Sequence, residues 1–266
     1  MSKMMTWGAG LVLAGVLTGW GQPGAAGLVA GGSWGRVIGV PGLGALIKGN
    51  GGGAQVSSVS CASAGNCAAG GYYWDRGDQA FAVVERHGRW GKATGVPGVA
   101  ALNKGRYAHV YTVSCAPGGS CAAGGGYTLA YSQDVVGFVT EEKNGVWGKA
   151  VTFPAGQDGL VEAIYCVSAG NCVAGGTEAP DYFDNFHGFV ARERNGRWGK
   201  SAAVPGLLAL SKGENAEVLA VWCSSAGNCT AGGDTNGGGG FPVQAFVVSQ
   251  HNGRWGTAAR CPAWRP

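Results

Sequence analysis

A cysteine pair with five residues between its members occurs four times, at Cys61 and Cys67, Cys115 and Cys121, Cys166 and Cys172, and Cys223 and Cys229. Each pair lies between two members of a series of Trp-Gly dipeptides at Trp34, Trp90, Trp147, Trp198 and Trp255, spaced at intervals of 56, 57, 51 and 57 residues. Self-similarity at that period makes this a repeat protein, each unit burying its apolar surface against the next. Within a unit the order is fixed: a Gly pair such as Gly70 and Gly71, then Phe81, Phe138, Phe189 or Phe246, then the Trp nine residues later.

Each unit divides into four short extended runs, a to d. In the first they are Val56 to Ala62, Cys67 to Tyr73, Gln79 to Arg86 and Trp90 to Val96, with Val59 and Cys61 sharing one face and Phe81 and Val83 another. The c-to-d junctions, His87-Gly88, Asn144-Gly145, Asn195-Gly196 and Asn252-Gly253, suit tight hairpins, because both central residues of such a turn need positive φ. Helical periodicity is absent. Glycine, at 53 residues, follows no Gly-X-Y period and proline numbers only 10, so glycine marks turns and crowded strands rather than a collagen or a disordered tract.

Four-stranded units of this length predict an all-β fold, a β-propeller of four four-stranded blades or an incomplete five, since Trp34 to Val40 supplies a fifth d-type strand without its a, b and c. The alternative is a β-sandwich or an open β-solenoid. The layout of glycine pair, aromatic and tryptophan resembles the kelch blade. The wording Val59-Ser-Cys-Ala-Ser-Ala-Gly-Asn-Cys67, followed by Ala-Ala-Gly-Gly and later Asn-Gly-Arg-Trp-Gly, looks like a large set of uncharacterised secreted repeat proteins of high-GC Gram-positive bacteria. That resemblance covers residues 31 to 260 and implies export and repeat architecture, with no activity attached.

Lys3 precedes an apolar run from Met4 to Trp20 and the small residues Gly24, Ala25 and Ala26, so residues 1–30 read as a signal peptide or an N-terminal anchor and 31–266 as the repeat domain. From Gly31 onward no segment is long and apolar enough to span a bilayer. In an exported chain, two cysteines that end one strand and begin the next are expected to form a disulfide across the hairpin. Each such short loop contributes about 2 kcal/mol by chain-entropy scaling. Metal binding would need these thiolates clustered, so no metal and no cofactor is assigned. Cys261 takes the place of Val96 in the repeat and is expected to be an unpaired apolar substitute in the last strand.

With 19 Lys and Arg against 15 Asp and Glu, and no dense basic cluster, nucleic acid is not the expected partner. The four histidines, His87, His109, His187 and His251, sit in no catalytic motif. Glu85, Glu142 and Glu193, with Arg86 and Arg194, are expected as exposed cross-strand pairs beside the c-to-d turns.

In an up-down blade the stapled a-to-b turns and the c-to-d hairpins share one end, nearly identical in every unit, while the b-to-c and d-to-a connections share the other. The b-to-c segments diverge and carry aromatics beside acids and amides, equipment for stacking on sugars or holding a partner chain. Tyr73, Trp74, Tyr131, Tyr182 and Phe183 are therefore the candidate ligand contacts. The expectation is a secreted, non-catalytic binding protein for a glycan or cell-surface partner. The alternatives are a structural surface protein and a propeller-type glycoside hydrolase or lyase.

Overall fold

The computed structural model describes residues 35–48, 52–129, 134–153, 158–179, 185–236 and 243–261. The proposed leader, Trp34, Tyr131, Tyr182 and Phe183 lie outside the described residues. The chain divides into two units, Met1–Ile38 and Gly39–Pro266, and the second holds the repeats.

That unit is all-β, built from four antiparallel sheets, one per repeat. The first comprises β1 (Ala54–Ser63), β2 (Asn66–Trp74), β3 (Asp78–Arg86), β4 (Arg89–Trp90) and β5 (Thr94–Gly95). The second has β6 (Ala108–Cys115), β7 (Cys121–Thr128), β8 (Val135–Lys143), β9 (Val146–Trp147) and β10 (Val151–Thr152). The third has β11 (Asp158–Ser168), β12 (Asn171–Ala179), β13 (His187–Arg194), β14 (Arg197–Trp198) and β15 (Ala202–Ala203). The fourth has β16 (Asn215–Ser225), β17 (Asn228–Asn236), β18 (Gln244–His251), β19 (Arg254–Trp255) and β20 (Ala259–Arg260).

The expected d strand is in each case two short pieces. In the first sheet both pair with β3, Trp90 opposite Glu85 and Gly95 opposite Phe81. The paired cysteines are register partners in all four sheets, Cys61 opposite Cys67, Cys115 opposite Cys121, Cys166 opposite Cys172 and Cys223 opposite Cys229, and all four within-repeat disulfides are formed. At three stapled turns an asparagine ties the two hairpins of a sheet together: the Asn66, Asn171 and Asn228 side chains accept from the backbone N–H of His87, Asn195 and Asn252. The c-to-d turns hold positive φ at both central residues, 51° at His87 and 75° at Gly88 in the first.

The sheets stack in chain order, β1 on β6, β6 on β11 and β11 on β16. Between successive sheets lie Phe138, Phe189 and Phe246, while Phe81 lies on the other face of the first sheet under Val40, Leu43, Leu46 and Ile47, and each of the four is at most 1 % exposed. The two glycines of each pair have separate jobs. A Cβ on Gly70 would sit 2.6 Å from Val110 of the next sheet, so the first glycine is a socket for a neighbouring valine. A Cβ on Gly71 would lie 1.8 Å from the Gln55 carbonyl, so the second lets the opposing backbone close in. It does so at a bulge: register slips between Val56 and Ser58, Val110 and Thr112, Val161 and Ala163, and Val218 and Ala220.

Three sequence expectations are corrected. The d-to-a connections contain one-turn helices, α1 (Leu43–Leu46), α2 (Val99–Leu102) and α3 (Leu207–Leu210), too short to register as a periodicity. Glu142 and Glu193 are not exposed pairs but are buried, because stacking lays the preceding sheet over them. Cys261 is free but exposed, whereas Val96 at the same repeat position is 3 % exposed. Val96 is packed in a core cluster shared with the second sheet, whereas among the described residues the fourth sheet is the last.

Candidate functional site

The bulges position the most distinctive chemistry in the molecule. The residues they insert into the first strands are Ser57, Tyr111, Glu162 and Leu219, freed from the in-and-out alternation of their neighbours. They lie near the end of the sheets that carries the b-to-c and d-to-a connections. There they form, with flanking side chains, a strip of aromatic and acidic groups running from the first sheet to the fourth.

At the junction of the first two sheets, His109 of β6 is stacked by Tyr72 of β2 at 3.9 Å between ring centres, nearly parallel, and by Tyr107 at 4.2 Å. Its Nε2 lies 2.7 Å from Asp78 Oδ2 at the start of β3. Tyr72 donates its hydroxyl to Gln55 Oε1 at 3.2 Å. The hydroxyls of Tyr107 and Tyr111 are hydrogen-bonded to one another. Asn103, 6 % exposed, sets this geometry: it donates to the Asp78 carbonyl at 2.9 Å and accepts from the Tyr107 backbone N–H at 2.8 Å, pinning the loop before β6 to the b-to-c turn of the first sheet. Burial, helped by the bond to Tyr107 and the nearby Glu162 and Asp78, pushes the Tyr111 phenol well above its ordinary value.

Further along, Glu162 of β11 is pushed up to about 7, chiefly by burial and then by the charges of Glu217 and Asp234. Glu217 is itself raised, by burial and by Asp234. The strip thus pairs a rigid stack of three rings with carboxyl groups of which one holds its proton close to neutrality. It offers flat faces for stacking and acceptors and donors for hydroxyl groups; among the described residues no group of three or more His, Cys, Asp or Glu is arranged to hold a metal ion.

Of the ring residues expected as contacts, Trp74 is 47 % exposed at the same end of the first sheet, beside Ile47. Tyr73 is 8 % exposed, in a core cluster with Phe81 and Val83 that Val40, Leu43, Leu46 and Ile47 cover. Sequence reasoning missed Tyr107, His109, Tyr111, Glu162 and Glu217. The signal was there in part: polar and aromatic residues interrupt the valine alternation of the first strands where the bulges fall.

The opposite end has its own feature, a recess of about 440 Å³ between the third and fourth sheets, walled by Val173, Arg192, Glu193, Asn195 and Cys223. Its walls are mostly the stapled and Asn-Gly turns that recur in each unit. No known family model matches the chain, and no curated protein resembles it closely enough to count as a match.

Proposed function

We propose that this is a secreted, non-catalytic binding protein whose sheets are blades of a propeller-type repeat fold and which holds a glycan or cell-surface protein on the strip. Export is supported by the leader-like residues 1–30 and by four disulfides, which persist in oxidising compartments. The resemblance to secreted repeat proteins of high-GC Gram-positive bacteria points the same way. The observation that carries the binding reading is the stack of Tyr72, His109 and Tyr107 locked by Asp78: a preorganised aromatic platform flanked by acceptors is what a sugar ring or a partner's side chain docks on. Trp74, exposed two residues further along the same strand from Tyr72, offers a second ring at this end of the first sheet.

A screen of cell-wall polysaccharides and oligosaccharides, followed by calorimetry on any hit, tests it. Tyr72→Ala and Trp74→Ala should each weaken binding by about fivefold or more, on the order of 1 kcal/mol. Asn195→Asp at the opposite end should change nothing. Equal weakening by that control would move the site away from the strip.

The raised Glu162 beside Glu217 and Asp234 favours a second reading, a glycoside hydrolase using one carboxyl as acid and another as base or nucleophile. Release of new reducing ends from a bound polysaccharide, lost in Glu162→Gln, would establish that reading. Binding without turnover would retain the first.

A further inference from the structure

We infer that the outer face of the fourth sheet and the outer face of the first are the two halves of one interface, and that a second copy of this chain joins them head to tail. The three seams inside the molecule provide the template. In each, two apolar residues of a first strand enter the socket made by a glycine in the preceding sheet: Val110 and Val113 at Gly70, Val161 and Ile164 at Gly124, Val218 and Val221 at Gly175. A Cβ on those glycines would stand 2.4–2.6 Å from the incoming valine, and Val110, Val161 and Val218 are fully buried.

The fourth socket is open. Among the described residues, a Cβ on Gly232 would meet only atoms of its own sheet, the Phe246 carbonyl at 3.2 Å and Val247 at 3.6 Å. Beside it Trp222 and Val247 are 58 % and 44 % exposed, whereas Ala82, Val139 and Val190, at the repeat position of Val247, are at most 2 % exposed. The matching knobs are unused at the other end: Val56 and Val59 of β1, in the register of Val110 and Val113, are 42 % and 62 % exposed. Socket and knobs therefore exist once each per chain, on opposite faces, in the geometry that three internal seams already satisfy.

The turn-end charges add a partial match, taken from the first seam. Arg86 of the first sheet reaches Glu142 of the second at 2.6 Å and stands over the turn glycine Gly145, and Lys143 stands over Gly196 of the third. In the first sheet the turn glycine Gly88 has nothing within 4 Å of its Cβ position, and Glu85 occupies the place of Glu142. On the outer face of the fourth sheet, His251 occupies the place of Arg86. His251 and Glu85 thus hold, on the two outer faces, the places of the Arg86–Glu142 pair of the first seam. Sockets and knobs on different surfaces make the contact heterologous, so copies add in sequence and close into a ring if the rotation per copy permits.

Light scattering coupled to size exclusion, on the full disulfide-bonded chain over a range of concentrations, tests this with two surface variants. Val56→Asp with Val59→Asp disables the knobs, and Val247→Asp disables the socket face. All three positions are exposed, and circular dichroism checks that the variants remain folded. The wild-type chain should form species larger than a monomer, and each variant alone should be monomeric, with self-association at least about tenfold weaker. Mixed one to one, the two variants should form a heterodimer and nothing larger, because each mixture partner retains one working half. A wild-type chain that stays monomeric at every concentration, as closure of the two faces within one chain would give, overturns the proposal. So does assembly that survives both variants, or a mixture that remains monomeric.

Discussion

Glu142 and Glu193 occupy the same place in successive sheets, opposite Trp147 and Trp198, and both are essentially without solvent exposure. Their surroundings differ. Glu142 takes a charge-assisted bond from Arg86 of the preceding sheet at 2.6 Å and a second bond from the Gly145 backbone N–H in its own turn. Lys143 stands where Arg86 does, but it turns to Glu141 on its own strand at 3.0 Å and leaves Glu193 without an ion pair among the described residues. Burial and the neighbouring Glu141 then push Glu193 up to about 8. A buried carboxyl is kept ionised only by a partner that reaches it; otherwise it keeps its proton. The fourth sheet shows the limiting case, with a neutral Gln250 at this position, 2 % exposed.

Removing the partner in the first seam should give the largest effect. Arg86→Ala takes from the buried Glu142 carboxyl the charged partner that reaches it from the preceding sheet and should cost about 3 kcal/mol of unfolding free energy at neutral pH. Lys143→Ala in the next seam should cost less than about 1 kcal/mol, since its partner Glu141 is at the surface edge. Urea titrations of the two variants compare the seams directly. Equal losses would erase the distinction between them. The double variant Arg86→Met with Glu142→Leu should recover most of the stability, because the pair's cost lies in breaking it.

The second contrast is one of pH. Folded Glu193 retains a proton that the unfolded chain releases above the ordinary carboxylate value, so the unfolded state binds fewer protons and stability falls as pH rises from about 4.5 to about 8. Glu193→Gln, which copies the fourth sheet, should flatten that part of the slope and leave the variant more stable than wild type at pH 8, by on the order of 1 kcal/mol. Thermal melts at intervals across that range are the measurement. An unchanged slope would mean that folded Glu193 does not hold its proton above the ordinary carboxylate range.

These glutamates also show where sequence reading stopped. The repeat period, the cysteine spacing and the Asn-Gly dipeptides are local or periodic signals, and four sheets, four disulfides and positive φ at the turns follow from them. Burial of Glu142 and Glu193 comes from one sheet lying on another, and nothing within a strand of Glu-Lys-Asn-Gly or Glu-Arg-Asn-Gly announces which face will be covered. The same is true of Tyr73, an aromatic at a strand end that α1 and its flanks turn into a core residue. Tyr111 and Glu162 were hidden differently: a bulge inserts one residue and shifts every later side chain by one place, so strict alternation assigns them the wrong direction.

The smallest effect should come from Glu162, which tests whether a carboxyl in the strip behaves like one in a seam. It is half-buried rather than sealed, and its leading perturbation is burial, with Glu217 and Asp234 as lesser contributors. Its folded value near 7 adds a slope of the same sign as that of Glu193, present between about pH 4.5 and 7 and absent above. Glu162→Gln should therefore raise stability at pH 7.5 only slightly, about 0.5 kcal/mol or less once solvent screening at the strip is counted. Carbon-detected carboxyl NMR on the wild-type protein reads the group itself. Glu217→Gln and Asp234→Asn should each bring the Glu162 titration down, and the two together should still leave it above the ordinary carboxylate range, because the burial that dominates remains. A return to the ordinary value in the double variant would make repulsion rather than burial the main cause. The strip would then be an exposed acidic surface instead of a partly dry cleft, and it would be a weaker place to hold a sugar.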